Sequence, residues 1–319
     1  MPQFAPPAAA PTSNLRGILA MLLAMGAFTT GDTFMKSVAA ALPTGESITV
    51  RAGFCVIIAL GVALHSGSLG RFRSLIVPAM GLRCLGEIGS SWCFQHALAR
   101  MPFADINAIL QLTPLCITGG SALAFGEKVG WRRWTAIFIG LGGVLLIIRP
   151  GSSGFSWWAM VAVLAVLCGT LRDLSTRRVD HGVPPANIMI VSQTAVMLGG
   201  FAFLPFESWS LPAASLLLKL LLAAAFSLLG QMCVITAMRT GEVATVAPFR
   251  YSNMVWAIFY GIVIWGQFPD LQTLVGMSIV VSAGLYTFHR EQVRRRAAAA
   301  ARAASRKAAI AEGRTCTTR

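Results

Sequence analysis

Two acid–base pairs at helical spacing stand inside apolar runs: Asp32 with Lys36 in TTGDTFMKSV, and Arg83 with Glu87 in GLRCLGEIGSSWCFQH. Side chains four apart share one helix face. In apolar surroundings such a pair can neutralise itself, hold a charged ligand group, or pass a proton through a desolvated carboxylate. Arg51, Asp105, Arg172, Asp173, Arg177 and Arg250 are further charges within or bordering apolar stretches. Hydrogen-bonding side chains interleave with them: Ser90, Ser91, Gln95 and His96; Asn107, Gln111 and Thr113; Gln231; Tyr251 and Asn253. No GxxxxGK[ST] loop, HExxH or Cys/His cluster of metal spacing accompanies them, and nothing groups Glu87, Asp105 and His96 as nucleophile, base and orienter. No metal, cofactor or catalytic residue is therefore expected.

The elements that must position these groups are membrane helices. Of 319 residues, 55% are hydrophobic and 12% charged, about half the charge of a soluble domain. A membrane helix needs about 20 mostly apolar residues. Ten such segments are expected at roughly 15–36, 46–66, 74–99, 103–125, 131–149, 156–177, 185–205, 213–238, 243–265 and 270–289. Turn-type stretches such as LPTGE, RPGSSG and VDHGVPP separate them. The Pro/Ala-rich start, residues 1–14, reads as a disordered tail without the marks of a cleaved signal peptide. The seven cysteines are scattered and lack CxxC spacing, which fits packing rather than a disulfide framework.

The formal net charge of +14 is unevenly placed. With the N-terminus inside, the inside loops hold Arg71, Arg73, Lys128, Arg132, Arg133, Arg177, Arg178 and Arg239. The tail 290–319 adds nine Lys/Arg. Outside loops hold only Lys36, Arg100 and Arg149. Cytoplasmic loops carry the Lys/Arg excess, so both termini are expected in the cytoplasm. The tail has no interleaved aromatics. It fits anionic lipids, as a surface helix or a disordered segment, and not nucleic acid.

A shift of about 140 residues lays ALARMPFADINAIL over AMRTGEVATVAPFR and FGEKVGW over WGQFPDL. A shift of 141 lays Asp32 over Asp173 and Lys36 over Arg177. The expected organisation is a first five-helix repeat at 15–149 and a second at 150–289. Five is odd, so the second repeat enters the membrane inverted. Inverted repeats around a midplane site are the usual build of secondary transporters. The fold class expected is all-α, a polytopic membrane protein of ten transmembrane helices in two inverted repeats.

These features resemble the EamA-domain branch of the drug/metabolite transporter superfamily. The resemblance rests on TVRAGF, on ALARMPFADINAILQLTPLCITGGSALAFGEKVGWRRWTAIFIGLGGVLLI, and on AMRTGEVATVAPFRYSNMVWAIFYGIVIWGQFPD. Gly266-Gln267 stands where the family often has Gly-Glu. It implies a ten-helix alternating-access carrier of a small organic metabolite in the bacterial inner membrane, as a monomer or homodimer. The wording VAPFRYSNMVWA resembles a subgroup that includes riboflavin and S-adenosylmethionine transporters. On that resemblance alone riboflavin uptake is the expected activity. S-adenosylmethionine, amino-acid derivatives and drug-like cations are alternatives, in either direction. A polytopic enzyme and a channel are the readings from other classes.

Each charge has a plain reading beside the functional one. Asp32 with Lys36 is a local ion pair, with Lys36 snorkelling to the interface, or an outer closure echoed by Asp173 with Arg177. Glu87 is a buried acid for proton coupling or is neutralised by Arg83. Arg51 is expected at the interface, in reach of Glu46. Asp105 suits a helix N-terminus, Pro114 a kink, and the glycines at 140–143 close helix packing. The expected substrate contacts are Glu87, Ser91, Gln95, Asn107, Gln111, Gln231, Arg250, Tyr251 and Asn253. Gating or coupling is expected of Asp32, Lys36, Glu87, Asp173 and Arg177.

Overall fold

The computed structural model describes residues 14–67, 72–126, 130–150, 156–180, 182–240 and 243–311. Arg71, Lys128, the N-terminal tail to residue 13 and the last eight residues of the basic tail lie outside them. The described chain is helical, with no strand among the described residues. Its helices are α1 (Asn14–Val38), α2 (Thr44–His65), α3 (Pro78–Arg100), α4 (Phe103–Leu110), α5 (Thr113–Phe125), α6 (Trp131–Ile148), α7 (Trp157–Thr176), α8 (Pro185–Phe201), α9 (Ala214–Thr240), α10 (Val243–Val246), α11 (Ser252–Trp265) and α12 (Leu271–Ala311).

Proline starts several of these helices. Pro78 and Pro185 open α3 and α8, where a missing N–H costs nothing. Pro114 opens α5 and so separates it from α4. At the junction, Gln111 and Leu112 donate to Ala108 and Ile109 at 3.2 and 3.0 Å, a tightened turn rather than a continuous helix. The expected span 243–265 is broken likewise: α10 passes into a 3₁₀ segment at Ala247–Tyr251 before α11 begins. The two broken segments also end alike. Gly126 closes α5 at φ 65° and Gly266 closes α11 at φ 62°, left-handed caps that cost glycine no strain.

Counting α4 with α5, and α10 with α11, gives ten helical segments at the ten expected places. Eight helices are long and apolar enough to cross a membrane. The two that fall short are α3, which carries Arg83, Glu87, Gln95 and His96, and the broken α10–α11. Large apolar side chains such as Leu19, Ile57, Leu123 and Phe138 cover the outside, as lipid requires. The last helix departs from expectation. It does not stop near 289 but continues without a break to Ala311.

Helix partners recur in a pattern. α1 packs mainly on α9, and α3 on α7; α6 packs on α12, and α2 on α8. α4, with the wholly buried Phe103, Ile106 and Ile109, lies at the centre against α7 and α11. α6 and α12 cross where Gly143 and Gly276 face each other. A Cβ at Gly276 would come within 2.7 Å of the Gly143 carbonyl oxygen, and one at Gly143 within 2.9 Å of that of Gly276. Gly142 faces open space, so the packing role expected of the glycine run belongs to Gly140 and Gly143.

Candidate functional site

Three helices, α3, α7 and α8, meet at the polar groups of α3. Arg83 donates through Nε to Ser192 Oγ on α8 at 3.1 Å and through Nη1 to the Thr176 hydroxyl on α7. Glu87 lies between two guanidinium groups, 3.8 Å from Arg83 and 3.6 Å from Arg172. Arg172 in turn donates to Asp173 at 2.7 Å. Glu87 is thus neutralised by Arg83, as its plain reading had it, and by Arg172 as well. Buried charges are tolerable when paired and hydrogen-bonded in this way. The network ties α3, α7 and α8 together. Arg172, Thr176 and Ser192 were not singled out for it by spacing, because their partners lie on other helices.

The expected pair of Asp32 with Lys36 does not form. Lys36 Nζ donates to the carbonyls of Leu98 and Met101 at 2.7 and 2.6 Å, and lies 5.6 Å over the Trp265 ring. Those carbonyls belong to the end of α3, where a helix leaves acceptors unsatisfied. They draw the ammonium away from its own helix. The matching residues on α7 behave similarly. Arg177 donates to Ser121 Oγ on α5 at 3.0 Å, and Arg178 lies 5.0 Å over the Phe125 ring. Asp173 is held by Arg172. The echo between the two helices is therefore not an acid–base pair. It is a cation at the end of the first helix of one half, set over the aromatic residue that ends the broken helix of the other.

Asp32 is half-buried and makes no hydrogen bond or ion pair among the described residues. The charge that acts on it is Arg51, on α2. Arg51 forms no ion pair with Glu46. It is half-buried, its Nε is occluded without a partner, and its field reaches Cys55 one turn on. Glu46 instead lies buried near Ser210 and Glu207. Glu207 caps α2, accepting from the Gly45 amide at 2.9 Å and from the Trp209 indole at 3.0 Å.

The other expected contacts divide. Gln95 is buried and reaches the Met35 carbonyl on α1 at 3.4 Å. Asn253 accepts from Thr29 at 2.7 Å, and Tyr260 meets Thr30 at 2.8 Å, so α11 is fastened to α1 by two polar contacts. Thr29, Thr30 and Tyr260 are additions to the expected set. The repeated threonine before Gly31 was their one visible signal. Asn107 donates to the Phe103 carbonyl at 2.8 Å and leaves its own oxygen occluded without a partner. The Gln111 amide nitrogen is likewise unpartnered, at the break between α4 and α5. Ser91 is half-buried. Gln231 and Arg250 are exposed and complete no buried ring. Tyr251 packs its phenol against Gly284 of α12, a packing contact. Asp105 lies in the first turn of α4, as expected, beside Asp270 and Arg149.

An all-helical, lipid-faced chain of ten segments in two like halves, with charges gathered inside, is a multi-pass membrane protein built to let a polar solute pass. The family follows from the chain itself. The model of the EamA-like transporter family matches residues 15–149 and again 156–288, so the chain belongs to that family and is a membrane transporter. It is 26% identical over 84% of its length to the pseudopaline exporter CntI of Pseudomonas aeruginosa, covering 94% of that protein. It is 28% identical over 62% of its length to a riboflavin transporter of Rhizobium johnstonii, covering 66% of it. It is 22% identical over 87% of its length to an S-adenosylmethionine uptake transporter of Rickettsia felis, covering 94% of it. A solved crystal structure superposes with a TM-score of 0.61 at 18% identity over 87% of this chain and 98% of that one, a likeness of fold.

Proposed function

We propose that the chain is a secondary active transporter that moves a small organic metabolite across the bacterial inner membrane, by alternating access between two inverted repeats. The observation that carries this reading is the pattern of helix contacts. Exchange each helical segment of one half for its counterpart in the other, and α1 on α9 becomes α7 on α3, while α2 on α8 and α6 on α12 map onto themselves. Residue contacts follow the same exchange: Gly230 lies against Phe28, and Ser90 against Gly169. So do the cations over rings, Lys36 on Trp265 and Arg178 on Phe125. With both termini cytoplasmic, these last two contacts sit at opposite ends of the bundle, as an outer and an inner gate. Two equivalent gates are what alternating access needs.

Substrate contacts in this reading come from the interior faces of α1, α2, α3, α4 and α11, with Gln95, Asn107, Gln111 and Asn253 as polar lining. The named relatives have three different cargoes at 22–28% identity, so the name of none transfers. Riboflavin and S-adenosylmethionine are the first cargoes to try. The test is counterflow of labelled riboflavin and S-adenosylmethionine in proteoliposomes, with uptake by expressing cells with and without an uncoupler. Exchange of a labelled metabolite across the membrane is expected. A steady ion current without solute exchange would make the chain a channel and sink the reading.

A further inference from the structure

Asp32 and Arg51 are a second pair of opposite charges, and unlike the α3–α7 network they are left unjoined. α1 and α2 are connected by the short turn at 39–43 yet do not pack on each other to any extent. α1 lies on α9, α9 on α2, α2 on α3, and α3 on α1. The four helices close a ring in which α1 and α2 stand on opposite sides. Asp32 lies six residues before the end of α1 and Arg51 seven after the start of α2. At 1.5 Å per residue both are about 10 Å below the same turn. They therefore share one depth within the ring.

Their surroundings leave them available. Neither bonds to any group among the described residues, and they are not within ion-pair distance of each other. Arg51 Nε is occluded, whereas the tip of its guanidinium and the Asp32 oxygens are not among the occluded groups. The α2 face that bears Arg51 and Cys55 looks towards Glu87, which is occupied by Arg83 and Arg172. The other bases near Asp32 are occupied too: Lys36 caps α3. Charges within a membrane helix are costly to insert unless something satisfies them. An acid and a base at one depth, within reach of each other's field and not joined, leave room for a third group that would satisfy both.

We propose that Asp32 and Arg51 are the two poles of a site for a zwitterion, an α-amino-acid head group whose ammonium lies on Asp32 and whose carboxylate lies on Arg51. This rests on the transporter reading and narrows it. A guanidinium takes a carboxylate through two parallel hydrogen bonds, and a carboxylate takes an ammonium through one or two. One ligand carrying both charges satisfies both residues and adds no net charge to the interior. A neutral flat ring system would leave both unsatisfied. A lone anion or cation would satisfy one and strand the other.

The test uses the full-length chain purified in detergent, with thermal stability as the readout of binding. The probes are the L-amino acids and S-adenosylmethionine, each set against its carboxyl methyl ester, its decarboxylated amine and its desamino acid, with riboflavin alongside. At least one zwitterion is expected to stabilise the protein, with its ester and amine bound at least tenfold more weakly. Arg51→Gln is expected to abolish the preference for acid over ester. Asp32→Asn is expected to abolish the preference for the amino acid over its desamino analogue. Ligand-free stability of each variant controls for folding. No stabilisation by any zwitterion, or equal binding of zwitterion and ester, overturns the proposal. So does riboflavin binding that neither variant alters. Counterflow of riboflavin unchanged in both variants would overturn the zwitterion site while leaving the transporter intact. Loss of all solute exchange in the unmodified chain would instead strike the transporter.

Discussion

The two halves of the molecule treat the same acid in opposite ways. Asp173, on the first helix of the second half, is bonded to Arg172 at 2.7 Å, and that arginine is shared with Glu87. Asp32, its counterpart in the first half, has no bonded partner among the described residues and lies within the field of Arg51. Where the first half has Arg51, a shift of 141 brings Ser192, and Ser192 is taken by Arg83. The acid on the first helix of the second half holds helices together; its counterpart in the first half is left unbonded. A sequence repeat can thus preserve geometry while assigning one copy to structure and the other to ligand.

The sharpest way to break the comparison is at Glu87. Glu87→Gln leaves two guanidinium groups facing each other without their acid and is expected to destabilise the protein by about 3 kcal/mol. Thermal unfolding in detergent measures it. A loss no larger than that of a surface change would mean the network is not structural. Next in size is Asp32→Asn, expected to weaken substrate binding by about 2 kcal/mol, roughly 30-fold, with little change in unfolding temperature. Asp173→Asn should do the reverse, lowering stability while substrate affinity stays within about threefold. Equal effects of the two on transport would erase the distinction.

A smaller effect belongs to the gates. Trp265→Ala and Phe125→Ala each remove one cation–ring contact, about 0.7 kcal/mol, or roughly a threefold shift between states. They are expected to move the apparent affinities measured from the two sides of a proteoliposome in opposite directions. Movement in the same direction would mean that the two contacts are not counterparts. The smallest concerns Asp270 at the turn before α12. Its acid is pulled below the ordinary 3.8 to about 2, first by the Thr273 amide and hydroxyl and then by Arg149. A depressed carboxylate contributes stability that is present above the ordinary value and lost as pH falls towards the depressed one. Stability should therefore fall between about pH 4 and pH 2, and Asp270→Asn should flatten that fall.

Much of this fold is readable from the chain because apolar length and turn chemistry are local. The ten segments, the Pro114 break and the packing glycines all depend on residues within a turn or two of one another. The site was less readable, since its contacts cross between helices far apart in sequence. Lys36 was paired with the nearest acid on its own helix, but the open carbonyls at the end of α3 outbid it. The one acid near Arg51 in the sequence is Glu46, whereas the acid within reach of its field is Asp32 on α1. A shift of 140 lays Gln231 over Ser91 and Tyr251 over Gln111, yet Gln231 is exposed and Tyr251 packs on Gly284. Register fixes a residue's height in the bundle and leaves its bearing open.

The unbroken run of α12 has a mechanical consequence. At 1.5 Å per residue its 41 residues make a rod of about 60 Å, roughly twice the hydrocarbon thickness. The rod meets α6 at Gly276, close to one end. A small rocking of α12 about that crossing sweeps its far end through a much larger arc. A pair of spin labels, one near Ala311 and one in the loop after α2, would read such a rocking as a change of distance.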